Sequence, residues 1–327
     1  MSDRADHSTK ADDATRPRFD LKALGELYPF RSRWWERNGL RYHYLDEGSG
    51  DVLFMLHGNP TWSFFYRELI KEFRKDHRVI ALDQMGCGLS DRPTEEQYSY
   101  RYDRRIRDVQ EFLKYLRIDG GATLVAHDWG GIIGTGVAAR DPGLFSRFVL
   151  MNTAGFRMPD GKKLPWQLRY VKKFPILPEL QIRGFNAFVR LATVFGLETR
   201  MPSEVKRGYR LPYDSWHNRL AVYRFIQDIA VDRNEPSYEA VKVTDENLHK
   251  LKGKPMLIIW GARDFIFDME ILAEWRKRFP EAEYEVLEDA GHFVIEDARE
   301  RCISAISDFL HSNPIKVEKR REPNGRC

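Results

Sequence analysis

Three residues far apart in the chain have the types and the order of a nucleophile, an acid and a base. The segment Val125-Ala126-His127-Asp128-Trp129-Gly130-Gly131 follows a short apolar run and precedes a small-residue helix start, Ile132-Ile133-Gly134. A small–x–nucleophile–x–Gly pattern at a strand-to-helix turn is a nucleophile elbow, whose tight turn demands small flanking residues. Here the first small position holds Ala126 rather than Gly, and the nucleophile position holds Asp128 rather than Ser. The first N–H groups and positive dipole end of the following helix point at that position and favour an ionised carboxylate. Taken alone, Asp128 also reads as a plain cap of that helix. Trp260-Gly261-Ala262-Arg263-Asp264 adds an Asp just after a late strand. Asp289-Ala290-Gly291-His292-Phe293 adds a His in the loop after the last strand. Singly, such an Asp is a turn residue and such a His a surface or structural one. In the order Asp128, Asp264, His292, each at a strand end, they read as nucleophile, orienting acid and general base.

The loop Leu56-His57-Gly58-Asn59-Pro60-Thr61-Trp62 is a fourth element. By itself it is a turn, since His-Gly and Asn-Pro are turn-formers. Placed after an early strand, it supplies an oxyanion-hole N–H, with the Asn59 and Trp129 backbone N–H groups as the pair. The Asn59 side-chain amide and the Trp129 indole add two neutral donors aimed at the same cavity. A carboxylate nucleophile is ionised near neutral pH without help. It suits attack at a saturated carbon that carries a leaving group. Asp128 would form an alkyl ester, and a water deprotonated by His292 would then hydrolyse it at the ester carbonyl. A departing halide needs neutral N–H donors in a dry pocket, and Asn59 and Trp129 are the halide- and oxyanion-binding candidates. Epoxide opening uses the same elbow but needs tyrosine acids; Tyr170, Tyr209, Tyr213 and Tyr223 are available, in places the sequence does not fix. The Asn of His-Gly-Asn-Pro argues against that route, because an epoxide oxygen needs an acid rather than an amide. Trp129, where haloacid-type sites carry Arg, disfavours a carboxylate-bearing substrate.

These residues need an α/β scaffold. Short apolar runs at Asp51–Gly58, His77–Gly86, Ala122–Gly131, Lys254–Gly261 and Ala282–His292 alternate with helical stretches such as Tyr102–Leu116 and Glu296–Leu310. That alternation reads as buried parallel strands with crossover helices on both faces. Arg41–Gly48 alternates with period two. The division that follows is a tail over residues 1–30, largely disordered, a core over 31–154 and 241–312, a helical cap over 155–240, and a basic tail over 313–327. The cap is rich in aromatics and has a basic excess. Trp166, Phe174, Phe185, Phe188 and Phe195 fit an apolar, long-chain substrate, and most of them are expected to pack as cap core. The basic face reads first as solvated surface; docking to an acidic membrane or to partner enzymes of a pathway is the alternative. The chain has 327 residues, 42% of them apolar, with a net charge of +4. That balance gives no case for nucleic acid. No run reaches the ~20 apolar residues of a membrane span. Three widely spaced cysteines, Cys87, Cys302 and Cys327, fit neither a disulfide framework nor a zinc cluster, so a cytoplasmic setting is expected.

From about Arg31 to Leu310 the chain resembles the haloalkane dehalogenases, which have the α/β-hydrolase fold with a helical cap inserted after the sixth strand. The resemblance implies Asp128 as nucleophile, His292 as base, Asp264 as orienting acid, Asn59 and Trp129 as halide donors, and neither cofactor nor metal. The segment Asp83-Gln84-Met85-Gly86-Cys87-Gly88-Leu89-Ser90-Asp91-Arg92-Pro93 is similar to one branch of that family, which also holds the β-lactone decarboxylases of olefin biosynthesis. In that reading a strained four-membered ring binds at Asp128 and leaves as an alkene and carbon dioxide. Dehalogenation stands first, because its donors follow residue by residue. A receptor of the same fold is the non-enzymatic alternative; a degraded triad would mark it, and here all three positions are filled.

Overall fold

A computed structural model describes residues 19–315. The expected tails over 1–18 and 316–327 lie outside the described residues. Residues 19–30, expected as tail, are structured: a 3-10 helix spans Leu21–Leu27, and Leu24 and Tyr28 are buried. Tyr28 packs on Trp62 and its hydroxyl lies 2.6 Å from the Ser63 hydroxyl, so a few apolar residues suffice to pin this segment.

The sheet has eight strands: β1 (Arg33–Arg37), β2 (Leu40–Glu47), β3 (Val52–Leu56), β4 (Arg78–Leu82), β5 (Ala122–His127), β6 (Phe145–Met151), β7 (Met256–Gly261) and β8 (Glu283–Leu287). Their order is β1-β2-β4-β3-β5-β6-β7-β8. β1 and β2 pair antiparallel, as do β2 and β4; every other pairing is parallel. β5 and β7 are buried along their whole length, as strands covered by helices on both faces must be. Two apolar layers fill the two faces, one around Phe54, Phe112 and Ile133, the other around Met55, Phe65 and Phe309.

Strand register positions the site. Leu56 sits beside Ala126, His127 beside Met151, and Met151 beside Ile259. The chain therefore leaves β3, β5, β6 and β7 at one sheet edge, where ligands of open α/β sheets bind. Between β6 and β7 lie the cap helices, among them Trp166–Lys173, Ala187–Phe195, Ser203–Arg210 and Leu220–Gln227. The helix Tyr238–Asn247, just before β7, already rests on the core: Thr244 bonds the Tyr102 hydroxyl.

Candidate active site

Asp128 caps the end of β5 with φ 51° and ψ −128°, a backbone state that a side chain rarely adopts. Its carboxylate makes no capping bond to the helix Trp129–Arg140, so the plain-cap reading has no geometric support. The turn closes only because its neighbours lack side chains. A Cβ on Gly130 would lie 1.8 Å from the Leu56 carbonyl, and one on Gly58 would lie 2.1 Å from Asp128 Oδ1. Thr153 holds the turn from β6 by donating to the Asp128 carbonyl at 2.6 Å.

The Asn59 backbone N–H donates to Asp128 Oδ1 at 2.6 Å. His292 Nε2 faces the other oxygen, Oδ2, at 3.9 Å, and its Nδ1 pairs with Asp264 Oδ2 at 2.7 Å. Asp264 Oδ1 accepts the Ile266 and Phe267 N–H groups, which fixes the carboxylate plane. The Phe267 ring stacks on the imidazole. Burial pushes the Asp128 carboxyl up to about 6, against the pull of His292 and of the Trp129 and Asn59 N–H groups. Burial alone would lower His292; Asp264 and then Asp128 outweigh it and hold the imidazole above its ordinary value. The five sequence candidates thus lie within one buried cluster: Asp128 with backbone donors from Asn59 and Trp129, and beside it an imidazole paired with a second carboxylate.

A cavity of about 500 Å³ opens over this cluster. Asp128, Asn59, Trp129 and His292 form its polar end, and Ile132, Phe188, Leu191 and Phe195 are among the apolar walls. Two sequence expectations change here. One hydrogen of the Asn59 amide is committed outside the cavity: the nitrogen donates to the Val222 carbonyl of the cap at 3.1 Å, and the amide Oδ1 is buried without a partner. The reach of the cap backbone to the loop after β3 was not visible in the sequence. Second, of the five cap aromatics expected mostly as core, Trp166, Phe174, Phe185 and Phe195 are exposed, and only Phe188 is partly buried. The four tyrosine hydroxyls all bond elsewhere: Tyr170 to Gln181, Tyr209 to Glu296, Tyr213 to the Thr61 carbonyl and Tyr223 to the Pro175 carbonyl. No tyrosine lines the cavity among the described residues, so an epoxide oxygen would find no phenol there.

Sequence reasoning missed two supports. Asn152, at the end of β6, donates to Asp264 Oδ2 at 3.0 Å and ties β7 down through both polar groups of Gly261. An Asn directly after an apolar strand was the available signal. His127 holds the His292 carbonyl at 2.9 Å, and burial keeps its ring neutral.

A profile of the alpha/beta hydrolase fold matches residues 51–298. Haloalkane dehalogenase 2 of Mycobacterium bovis is 34% identical over 86% of this chain and 95% of its own. The chain is an α/β-hydrolase of the haloalkane dehalogenase family. The chain is also similar to the cis-3-alkyl-4-alkyloxetan-2-one decarboxylase of Shewanella oneidensis, 40% identical over 88% of this chain and 90% of that protein. A decarboxylase of the same name from Xanthomonas campestris is 39% identical over 85% of this chain and 95% of its own. Among solved structures, the haloalkane dehalogenase DbeA of Bradyrhizobium elkani superposes with a TM-score of 0.78 at 23% identity, over 86% of this chain and 98% of that one. At that identity the likeness concerns the α/β-hydrolase fold alone.

Proposed function

We propose that this chain decarboxylates cis-3,4-dialkyl β-lactones through Asp128. The observation that carries the choice within the family is the identity to two decarboxylases, 40% and 39%, against 34% to a haloalkane dehalogenase. Halide release calls for neutral side-chain donors at the cavity; one of the two Asn59 amide hydrogens is taken up by the Val222 carbonyl, which leaves the other and the Trp129 indole. A lactone needs less. Its leaving carboxylate stays tethered to the carbon chain and departs as neutral carbon dioxide.

The chemistry balances with no added reactant. Asp128 Oδ2 attacks the ring carbon that bears the ring oxygen and inverts it. The ring C–O bond breaks, and its electron pair goes to the freed carboxylate. The bond from that carboxylate to the chain then breaks. Its pair forms the double bond and expels Asp128, whose returning charge meets the Asn59 and Trp129 N–H groups. Inversion followed by anti elimination converts a cis-lactone to a cis-olefin. No water and no proton transfer are involved.

Dehalogenation is the second reading, supported by the His292–Asp264 pair. With Nε2 3.9 Å from Asp128 Oδ2, the imidazole is well set to activate a water against an aspartyl ester. The deciding test is gas chromatography of the protein incubated with a cis-dialkyl β-lactone. Matched cis-olefin, absent from Asp128→Asn, is the expected result. Intact lactone alongside bromide release from 1-bromoalkanes would overturn the proposal in favour of dehalogenation.

A further inference from the structure

Fifteen large apolar side chains are exposed among the described residues, and nine of them fall between Trp166 and Phe195. Trp166 is 71% exposed, Ile176 82% and Phe185 66%. They sit on consecutive elements that pack on one another, the helices Trp166–Lys173, Ile176–Glu179, Leu180–Gly184 and Ala187–Phe195 with their connections, which concentrates them in one part of the cap. Such a concentration of exposed apolar side chains marks an interaction site rather than ordinary surface. The same part of the cap carries the cavity mouth: Leu191, Phe195 and Phe265 line the cavity and are also exposed to solvent.

The charge around this face is one-sided. Residues 155–200 hold nine Lys and Arg against three Asp and Glu. Lys162, Lys172 and Arg183 are neutralised by acidic partners. Lys163, Arg169, Lys173 and Arg190 are exposed and have no ion pair among the described residues. Protruding aromatic and aliphatic tips between unpaired cations match an anionic lipid surface: the tips enter the acyl boundary and the cations meet the headgroups. An acidic protein would satisfy the cations but not so many protruding apolar tips.

We propose that this cap face docks on an anionic bilayer with the cavity mouth against the lipid. An apolar molecule then passes between acyl chains and cavity without crossing water. Docking needs only this face, whichever bond Asp128 breaks.

The test is co-sedimentation of the full chain with vesicles containing phosphatidylglycerol, and with vesicles of phosphatidylcholine alone. The expected result is binding to the anionic vesicles at low salt and its loss on neutral vesicles or at high salt. The combined variant Trp166→Ser, Ile176→Ser, Phe185→Ser lowers binding at least about tenfold. Lys163→Gln and Lys173→Gln lower it by about fivefold each. These side chains lie outside the cavity walls, so turnover of a short water-soluble substrate stays at the wild-type level and reports an intact fold. Wild type left in the supernatant with anionic vesicles would overturn the proposal. So would pelleting of the apolar variant at the wild-type level, which would place binding elsewhere in the chain. A wild-type dimer that the apolar variant dissociates, with no vesicle binding, would assign the face to a second copy instead.

Discussion

At the residue scale, Asp128 carries two opposed demands. As the proposed nucleophile it must be charged to attack, yet it is buried where charge is costly. With its carboxyl at about 6, the deprotonated nucleophile appears as pH rises through that value. We therefore predict that kcat/KM for a β-lactone or an alkyl bromide climbs about tenfold per pH unit below 6 and levels off above it, measured across a pH series. The same shift has a stability consequence. The ordinary value is 3.8, so above pH 6 the folded protein bears a charge penalty of about 3 kcal/mol that the unfolded chain does not. The penalty shrinks as pH falls from 6 toward 3.8 and is absent below. Asp128→Asn should thus unfold at higher denaturant than wild type at pH 8, with the gain fading in acid; no gain at pH 8 would contradict the burial argument. His292 separates the two chemistries. His292→Phe should slow alkyl bromide hydrolysis by about 10²–10⁴-fold and leave an aspartyl ester visible by mass spectrometry. Olefin formation from a lactone should fall far less, because no water needs a base.

At the element scale, the parallel strands do the positioning, and their apolar runs made most of them legible in the sequence. The elbow, the Asp after β7 and the His after β8 were legible for the same reason: each follows a run that ends abruptly in polar residues. β1, Arg-Trp-Trp-Glu-Arg, was not, because an edge strand largely in contact with water has little apolar content. The last helix was placed at Glu296–Leu310, but Ala298 breaks it into Val294–Asp297 and Arg299–Ser312 through a non-helical backbone that no residue type signals. Asn152 escaped because its role is a cross-strand one, set by the β6–β7 register rather than by neighbours in sequence. Asn152→Ala would leave the Gly261 N–H unpaired and remove one of the two donors on Asp264 Oδ2, the other being His292. We predict a loss of about 1–3 kcal/mol by urea unfolding. Ester hydrolysis should slow about tenfold or more while ester formation is spared, since the base and not the nucleophile loses its support. Equal loss of both steps would mean that Asn152 serves only the fold.

At the scale of the whole molecule, sheet and cap divide the work. The sheet edge holds Asp128, Asp264 and His292, and the cap supplies apolar walls, the Val222 carbonyl that engages Asn59, and a mouth rimmed by exposed side chains. The cap was the least legible part. Its helical content followed from composition, but which aromatics face inward depends on packing between short helices whose boundaries Pro and Gly scatter. No helix among the described residues is long and apolar enough to cross a membrane, so contact with lipid would be at the surface. In the proposed reaction Asp128 opens a β-lactone and is released again by loss of carbon dioxide. That reaction is tested most directly by turnover of a cis-dialkyl β-lactone in ¹⁸O-water, with the product and the Asp128 peptide both analysed by mass spectrometry. The account predicts cis-olefin and an unlabelled Asp128, because the aspartyl C–O bond forms and breaks at the same oxygen. A β-hydroxy acid with ¹⁸O in Asp128 would contradict it and make the enzyme a hydrolase of the bound ester.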